Sequence, residues 1–541
     1  MKIKTYFNVI LAVAAMSCAV AEETGALRQA AEGGDTEAQF KLGWRYEKGD
    51  GVGVDYDEAV KWYRLAVEQD NADAQNRLGL CFLLGRGVPK NLIEAVDWFR
   101  KSAGQGNAGG QYNLGVCYSE GSGVPQNHNE AAKWYHKVLE QEEAIINTEL
   151  GKMYLAWMYN NLGNCYYKGN GVRMNREEAV RLYRKGAELG GANAQYQLGL
   201  CYENGNVVKQ DYGEAEKWYR KAAEQGIAGA QRNLGALYSN GIIARQDTSE
   251  AGFQAYAKEA EKWIRMAAEQ GNASAQQRLG NMYMYGTRAV KQDSVEGAKW
   301  YRKAAEQGNE SAQYYLGICY AEGTGVAQDH KEAFKWFKKS ADLGFNIAVI
   351  HVGTCYLEGR GVEQDQAEAV EYYRKGAAGY DGRASALSRL GMCYLEGNGV
   401  AQDYAVAAEW LKKAAEYKNN SSQYELGRLY EQGLGVKKNR TEAVSWYRKA
   451  VEPNQYNSQQ ASEAREKARE ALERIEAIAA KYKEDAEAGD AKAQYNLGLC
   501  YKQGYGVEAD KESAKSWFGK AAEQGHEKAG AALRRIEKQK N

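Results

Sequence analysis

The sequence predicts an all-α solenoid, a stack of helix-turn-helix units. Three observations carry that prediction. A motif of the form A-x-x-L-G-x-C-Y-x-x-G-x-G-V, followed about nine residues later by E-A-x-x-W-Y-x-K-A-A-E-Q-G, recurs twelve times along the chain. The copies are anchored on Gly43, Gly79, Gly115, Gly163, Gly199, Gly235, Gly280, Gly317, Gly353, Gly391, Gly427 and Gly498. Most neighbouring anchors lie 36–38 residues apart, the period of a small unit that must stack on its neighbours to bury an apolar face. Only three prolines occur in 541 residues, as suits a chain that is helical nearly throughout.

The first half of each unit reads as a helix. In the second copy Ala74, Leu78, Cys81 and Phe82 fall at i, i+4, i+7 and i+8, one stripe of a helix of period 3.6. Gly85-Arg86-Gly87 stops it, because glycine takes the left-handed conformation at a helix end at little cost. Val88 is the apolar residue that plugs the turn to the core.

The second helix opens on a capping-box pattern, Asp or Asn followed three residues later by Glu. It appears as Asp55/Glu58, Asn91/Glu94, Asn127/Glu130, Asn175/Glu178, Asp211/Glu214, Asp247/Glu250, Asp293/Glu296, Asp329/Glu332, Asp365/Glu368 and Asn439/Glu442, ten of the twelve copies. Such pairs satisfy the exposed amides of a helix start. Ala59, Trp62, Tyr63 and Ala66 repeat the apolar stripe, and a Glu-Gln-Gly-Asn segment closes the helix. Ten of the twelve tryptophans share one position of this helix: Trp62, Trp98, Trp134, Trp218, Trp263, Trp300, Trp336, Trp410, Trp446 and Trp517. Leu182 and Tyr372 replace them in the other two copies. So regular a row reads as core filler between layers, not as a cofactor box.

The pattern resembles the Sel-1-like repeat, a relative of the tetratricopeptide repeat with a Gly-x-Gly turn, over roughly residues 26–451 and 490–541. The resemblance implies a right-handed αα superhelix. It also implies an adaptor or scaffold protein, of a kind often found in bacterial envelopes and signalling assemblies.

Lysine and arginine together number 71, as do aspartate and glutamate, so the net charge is zero. That argues against nucleic acid or an anionic membrane as the main partner, since both select a basic surface. At the N-terminus Lys2 and Lys4 precede the apolar run Phe7–Val13, and Ala19-Val20-Ala21 offers a small-x-small cleavage site before Glu22. Residues 1–21 read as a secretory signal peptide, with export to the periplasm or beyond the cell. Lipidation at Cys18 is the lesser alternative, because Ala15-Met16-Ser17 lacks the leucine usual three residues before such a cysteine. No other segment has the apolar length of a membrane span.

Eight further cysteines, Cys81, Cys117, Cys165, Cys201, Cys319, Cys355, Cys393 and Cys500, share one core-facing position of the first helix. Equivalent positions of stacked helices lie about 8–10 Å apart, beyond the reach of about 7 Å for a disulfide. Cysteine-rich members of the resembled family pair one cysteine from each helix of a repeat, and the second partner is missing here. These residues therefore read as buried free thiols, and no metal site is expected.

Three places break the period. Gly115–Gly163 carries about a dozen extra residues near 141–146, and Gly235–Gly280 about nine near 252–256; both inserts look helical and lengthen a helix. Gly427–Gly498 spans 71 residues and contains Glu466–Glu476, whose pattern returns at Glu527–Glu537. Residues 486–494 then match 31–39. This predicts a solenoid of eleven repeats plus a closing helix over 22–478, followed by a short capped module with one further repeat over 479–541. The rival reading is a continuous array with one degenerate repeat.

No catalytic constellation emerges. The five histidines do not recur beside carboxylates or cysteines; His128 and His330 are expected in solvent beside the helix caps, and His351 replaces an Arg or Asn of other copies. The Gly-x-Gly turns lack the strand and the Lys-Ser/Thr of a phosphate loop. No enzyme activity, cofactor or metal is therefore expected. A binding candidate lies two residues before the motif leucine, almost opposite the core stripe: Phe40, Tyr112, Tyr196, Tyr314, Tyr424 and Tyr495, interrupted by Asn76, Asn160, Arg232, Gln277, Ile350 and Ser388. If the first helix lines a concave surface, this row would form an aromatic groove for a protein or peptide; otherwise it packs one first helix against the next. The function expected is an exported, non-enzymatic scaffold for protein–protein interaction. The alternatives are a peptidoglycan-binding protein, since exposed tyrosines also stack on sugars, or a secreted factor engaging a host protein.

Overall fold

The computed structural model describes residues 23–242, 249–379, 382–453 and 459–538. Among them there is no strand, and helical hairpins succeed one another along the chain. Packing divides the chain into two compact units, one ending at Ala275 and one beginning at Gln276. Each unit is built from the same hairpin, a helix A such as Ala72–Leu84 followed by a helix B such as Leu92–Gly104.

The anchor glycine of the motif lets the two helices touch. A Cβ on Gly79 would stand 2.7 Å from the ring of Phe99, and one on Gly115 would stand 2.6 Å from Tyr135. The helix B ring therefore lies on the backbone of helix A, where only a hydrogen fits. Tyr63, Phe99, Tyr135, Tyr219, Tyr301, Tyr447 and Phe518, at the same position in their repeats, are fully buried. The tryptophan one residue earlier is less central than the sequence suggested. Trp218, Trp263, Trp300 and Trp336 are buried, but Trp62, Trp98, Trp134, Trp410, Trp446 and Trp517 keep part of their surface. A lysine three residues on lies over most of these rings, Lys101 at 4.0 Å from the Trp98 centroid and Lys303 at 3.9 Å from Trp300. The tryptophan row is the rim of the core, roofed by a cation.

Helix B is capped by one half of the expected box. The Asp55 carboxylate accepts from the amides of Asp57 and Glu58, each at 3.0 Å. The amide of Asp55 itself donates to the carbonyl oxygen of Tyr46 in helix A at 3.0 Å, and Asn91 and Asp329 do the same to Phe82 and Tyr320. With that amide already used, Glu58 has nothing to return to, and it pairs with Lys61 instead. This corrects the capping-box reading. It also explains why Asp403 and Asp510, which lack the glutamate, cap their helices equally well. Asp247 lies outside the described residues; the cap of the 250–269 helix is Ser249, which takes the amide of Gly252 at 3.0 Å.

Two contacts join successive repeats. Gly87, with φ +67°, would bring a Cβ to 2.2 Å from the carbonyl oxygen of Tyr56, the first residue of the preceding helix B. The second glycine of the turn is therefore a joint between repeats as well as a helix stop. The other runs through the helix A glutamine, which donates to the end of the preceding helix B, as Gln195 does to the Ala187 carbonyl at 3.2 Å, and accepts from a second glutamine of its own repeat. Gln75 on helix A accepts from Gln105 at the end of helix B at 2.9 Å, and the same bond at 2.7–3.0 Å links Gln39–Gln69, Gln111–Gln141, Gln195–Gln225, Gln231–Gln270, Gln276–Gln307 and Gln494–Gln524.

Both shorter inserts lengthen a helix, giving Glu149–Lys168 and Glu250–Glu269, each of 20 residues. The longest break is a single helix, Gln459–Glu487, of 29 residues, and it runs unbroken through the boundary drawn at 478. Its first part packs beside 420–432 and 440–451, as a helix A does. Its last thirteen residues, 475–487, stand in for a helix B: Gly506 approaches the Ile475 carbonyl as Gly435 approaches that of Tyr404, each Cβ falling 2.3 Å from the oxygen. The geometry is that of one repeat whose turn has been deleted, so that its two helices fuse. Glu431 locks the following repeat to it, accepting from Tyr447 at 2.8 Å, Tyr505 at 3.0 Å and Arg474 at 2.8 Å.

Candidate interaction surface

Within each unit helix A approaches the helix A of the next repeat more closely than helix B approaches helix B. The helix A side is therefore the inner side of each stack. Helix A is enclosed on three flanks: its own helix B lies on the anchor glycine, the preceding helix B on the alanine four before the leucine, and the next helix A on the residue two before it. What remains partly open is a narrow strip centred on the residue just before the leucine, exposed at Lys41 and half-buried in the other repeats.

The aromatic row predicted from the sequence lies on the third flank. Each ring braces the buried ring of its own helix B. Phe40 meets Tyr63 at a centroid distance of 6.1 Å, Tyr112 meets Tyr135 at 6.2 Å, and Tyr196 meets Tyr219 at 5.9 Å. In the second unit Tyr314 meets Phe337 at 5.9 Å, Tyr424 meets Tyr447 at 5.9 Å, and Tyr495 meets Phe518 at 5.7 Å. All six are half-buried. Tyr112 is further enclosed by Tyr154 and Trp157, at 6.0 and 5.8 Å, and Tyr314 by Phe345 and His351, at 5.3 and 5.2 Å. The rings form wedges between helices, with their faces occupied.

The open strip itself escaped the sequence reading. In the first unit it carries Lys41, Arg77, Asn113, Asn161, Gln197 and Asn233; in the second, Arg278, Tyr315, His351, Arg389, Glu425 and Asn496. Clefts border it in both units, two of them larger than one of about 130 Å³ beside Gln197. One of about 270 Å³ in the first unit is lined by Val116, Ser119, His128, Asn161, Asn164 and Lys168 among others. The other, about 300 Å³ in the second unit, is lined by Ser388, Arg389, Met392, Tyr424, Glu425 and Lys467 among others. Tyr424 of the aromatic row lines the second cleft. Desolvation holds the Glu425 carboxyl above its ordinary range, although Arg428 bonds it at 2.7 Å. His128, expected in solvent, is half-buried in the first cleft, and its Nδ1 has no hydrogen-bond partner. His351 packs on Phe337 and shares a hydrogen bond of 3.2 Å with the Tyr314 hydroxyl; burial first, then the Arg389 guanidinium, push it down to about 4.

The eight motif cysteines are buried free thiols. Desolvation pushes Cys117, Cys201 and Cys355 up to about 11, so they remain protonated fillers at neutral pH. Among the described residues no group of three or more His, Cys, Asp or Glu side chains is placed to hold a metal ion, and no helix is long and apolar enough to cross a membrane.

These hairpins, with their glycine-on-ring contacts and repeated joints, define a helical-repeat solenoid. The Sel1 repeat family matches residues 36–71, 72–107, 108–141, 158–191, 192–227, 228–253, 256–272, 273–309, 310–345, 347–381, 384–416, 420–452 and 491–526. The chain belongs to the Sel1 repeat family. The two segments 228–253 and 256–272 are the halves of one repeat, parted by the second insert, so thirteen matches correspond to the twelve anchors. Among solved structures, the chain is similar to c5321, a protective antigen present in uropathogenic Escherichia coli strains displaying an SLR fold. That likeness has 32% identity and a TM-score of 0.64 over 95% of this chain and 97% of that one. A Sel1 repeat protein from Oxalobacter formigenes shows 29% identity over 64% of this chain and 91% of that one, with a TM-score of 0.44. No curated protein is significantly similar. Sel1 repeat proteins generally mediate protein–protein interaction.

Proposed function

We propose that the chain is an exported, non-enzymatic scaffold that holds another protein on the helix A side of its repeats. One observation carries this reading. The residues that recur in the motif are spent on packing and caps, whereas the open strip changes from Asn113 to Asn161, Gln197, Asn233, His351, Arg389 and Glu425 from one repeat to another. A uniform scaffold with a varied inner strip is what a partner-specific surface needs. Export rests on Lys2, Lys4, the run Phe7–Val13 and the Ala19-Val20-Ala21 site. The likeness to a protein described as a protective antigen agrees with it.

Two measurements test the proposal. N-terminal sequencing of the mature protein, with cell fractionation, is expected to give a chain beginning at Glu22 outside the cytoplasm; a cytoplasmic chain beginning at Met1 would refute export. A photo-crosslinking residue at Arg389 or Gln197 is expected to trap a protein in living cells, while one at the outer helix B position Lys412 is expected to trap none. Equal trapping at both positions, or none at either, would refute binding on the inner side.

A further inference from the structure

The open strip of the first unit differs in chemistry from that of the second. From the third repeat to the sixth it is carried by side-chain amides: Asn113, Asn161, Gln197 and Asn233, with Asn164 one turn further along its helix. A primary amide presents a donor and an acceptor together and carries no charge. Several halves of these amides are already used inside the protein. Asn113 donates to Asn76 at 2.7 Å, Asn161 donates to the Tyr112 hydroxyl at 3.3 Å, and Asn164 accepts from the Tyr183 hydroxyl at 2.8 Å. Those bonds fix the orientation of each amide. They leave the Asn113 carbonyl oxygen, the Asn164 NH2 group and both ends of Gln197 without a protein partner among the described residues. Asn160, beside them and only 8% exposed, donates to Asn161, and its own carbonyl oxygen has no partner. The cleft of about 270 Å³ lies against the same amides, between the helices A of the third and fourth repeats.

We infer that this amide strip binds the main chain of an extended peptide, one repeat to about every three residues, with one polar side chain of the peptide seated in the cleft. The inference rests on the scaffold reading and gives its partner a chemistry. Peptide N–H and C=O groups are neutral and offer donor and acceptor together, as do the free halves left on Asn113, Asn164 and Gln197. Helices packed about 8–10 Å apart match three residues of extended chain at about 3.3 Å each. The strip offers little net charge with which to select an acidic or basic ligand. It also offers little for stacking a sugar, because the Tyr112 ring is enclosed by Tyr135, Tyr154 and Trp157. The cleft is lined by Ser119, His128, Asn161, Asn164 and Lys168, with Glu120 and Asn170, which suits a polar side chain over an apolar one.

The probe is a displayed library of random twelve-residue peptides, selected on the full chain. Peptides selected by the parent are expected to bind the Asn164→Asp, Gln197→Ala double variant about ten- to thirtyfold more weakly, as two lost hydrogen bonds imply. Asn164→Asp keeps an acceptor for Tyr183 and exchanges the donor for a charged oxygen, and an unchanged melting profile would confirm that the fold is retained. N-methylation of alternate backbone amides of the peptide should weaken binding to a similar degree, and that arm perturbs the probe alone. Selected peptides that ignore both changes would overturn the amide strip while leaving a protein-binding scaffold standing. Failure to select any peptide, with pelleting on purified peptidoglycan, would overturn the strip and the scaffold reading together.

Discussion

Replacing Leu343 by glutamine should stabilise the eighth repeat by about 1 kcal/mol. In seven repeats the glutamine on helix A accepts from a second glutamine at the end of helix B, at 2.7–3.0 Å. Gln313 holds the same place, donating to the Ala305 carbonyl at 3.1 Å, but its Oε1 is buried without a partner because Leu343 occupies the donor position. The backbone is already right. Leu343 sits at φ −84°, ψ 0°, against −84°, 2° for Gln105 and −84°, 3° for Gln307. Leu343 is 57% exposed, so its removal loses little apolar burial. Satisfying a desolvated acceptor is worth about 1–3 kcal/mol, against about 1 kcal/mol for ordering the glutamine side chain, which leaves about 1 kcal/mol net. A long repeat array does not unfold as one unit, so the assay is amide hydrogen exchange over 310–345. Exchange governed by local opening is expected to slow about fivefold. The reverse change, Gln105→Leu, strands Gln75, which is only 2% exposed, and should speed exchange over 72–107 by at least as much. If both variants exchange like the parent, the glutamine pair contributes nothing and the argument fails.

Gly79→Ala drives a methyl into the Phe99 ring at 2.7 Å and should destabilise its hairpin by about 1–3 kcal/mol, seen as faster exchange over 72–104. Asp55→Ala should cost about 1 kcal/mol and Glu58→Gln less than about 0.5 kcal/mol by amide exchange over 56–68, since only the aspartate caps the helix. His351 is neutral in the folded chain and pushed down to about 4, below its ordinary value near 6.5, so the unfolded chain binds more protons between these values. Its contribution is therefore constant above about pH 6.5 and is lost as pH falls toward 4. Linkage sets a ceiling of about 3 kcal/mol, reduced to about 1–2 kcal/mol because water reaches part of the ring. A parent-minus-His351→Asn comparison of exchange over 347–381 at pH 7 and pH 4.5 measures it, and equal differences at both pH values would exclude the effect.

The hairpin period, the helix starts and the buried thiols were legible in the sequence because each depends on local chemistry: a glycine that stops a helix, a carboxylate that takes two amides, a thiol at a repeated core position. The half-formed cap was not legible. It depends on the Tyr46 carbonyl, nine residues earlier and in another helix, which claims the Asp55 amide before Glu58 can. The fused repeat at 459–487 was legible only as the rival reading of one degenerate repeat, for a related reason. Deleting the Gly-x-Gly turn removed the very residues by which a repeat is recognised, while Ile475 kept its place against Gly506. The sequence left the aromatic row two readings, a groove or a seal between first helices, because a helical wheel centred on the leucine counts one buried side. Helix A has three, and the aromatic row that looked most exposed is the seal against the next helix A.

This division of helix A between seal and strip bears on how such a chain can acquire a partner. Substitutions at Gly79, Phe99 or Gln105 act on a contact repeated along the stack, and most of them cost stability. Substitutions at Gln197 or Arg389 change what lines the inner side, whereas Asn113 and Glu425 also hold bonds to Asn76 and Arg428. The two clefts illustrate the range open to these positions, one bordered by Asn161 and Asn164, the other by Arg389, Glu425 and Lys467. Affinity and specificity can therefore vary along the strip while the ring-on-glycine contacts remain fixed. The fused helix fits the same division. It dispenses with a turn, yet it preserves the joint at Ile475 and Gly506 and the Glu431 lock to Arg474 and Tyr505. Those joints keep the last repeat stacked on its neighbours, and the turn between the two helices of a repeat is the part that can be lost.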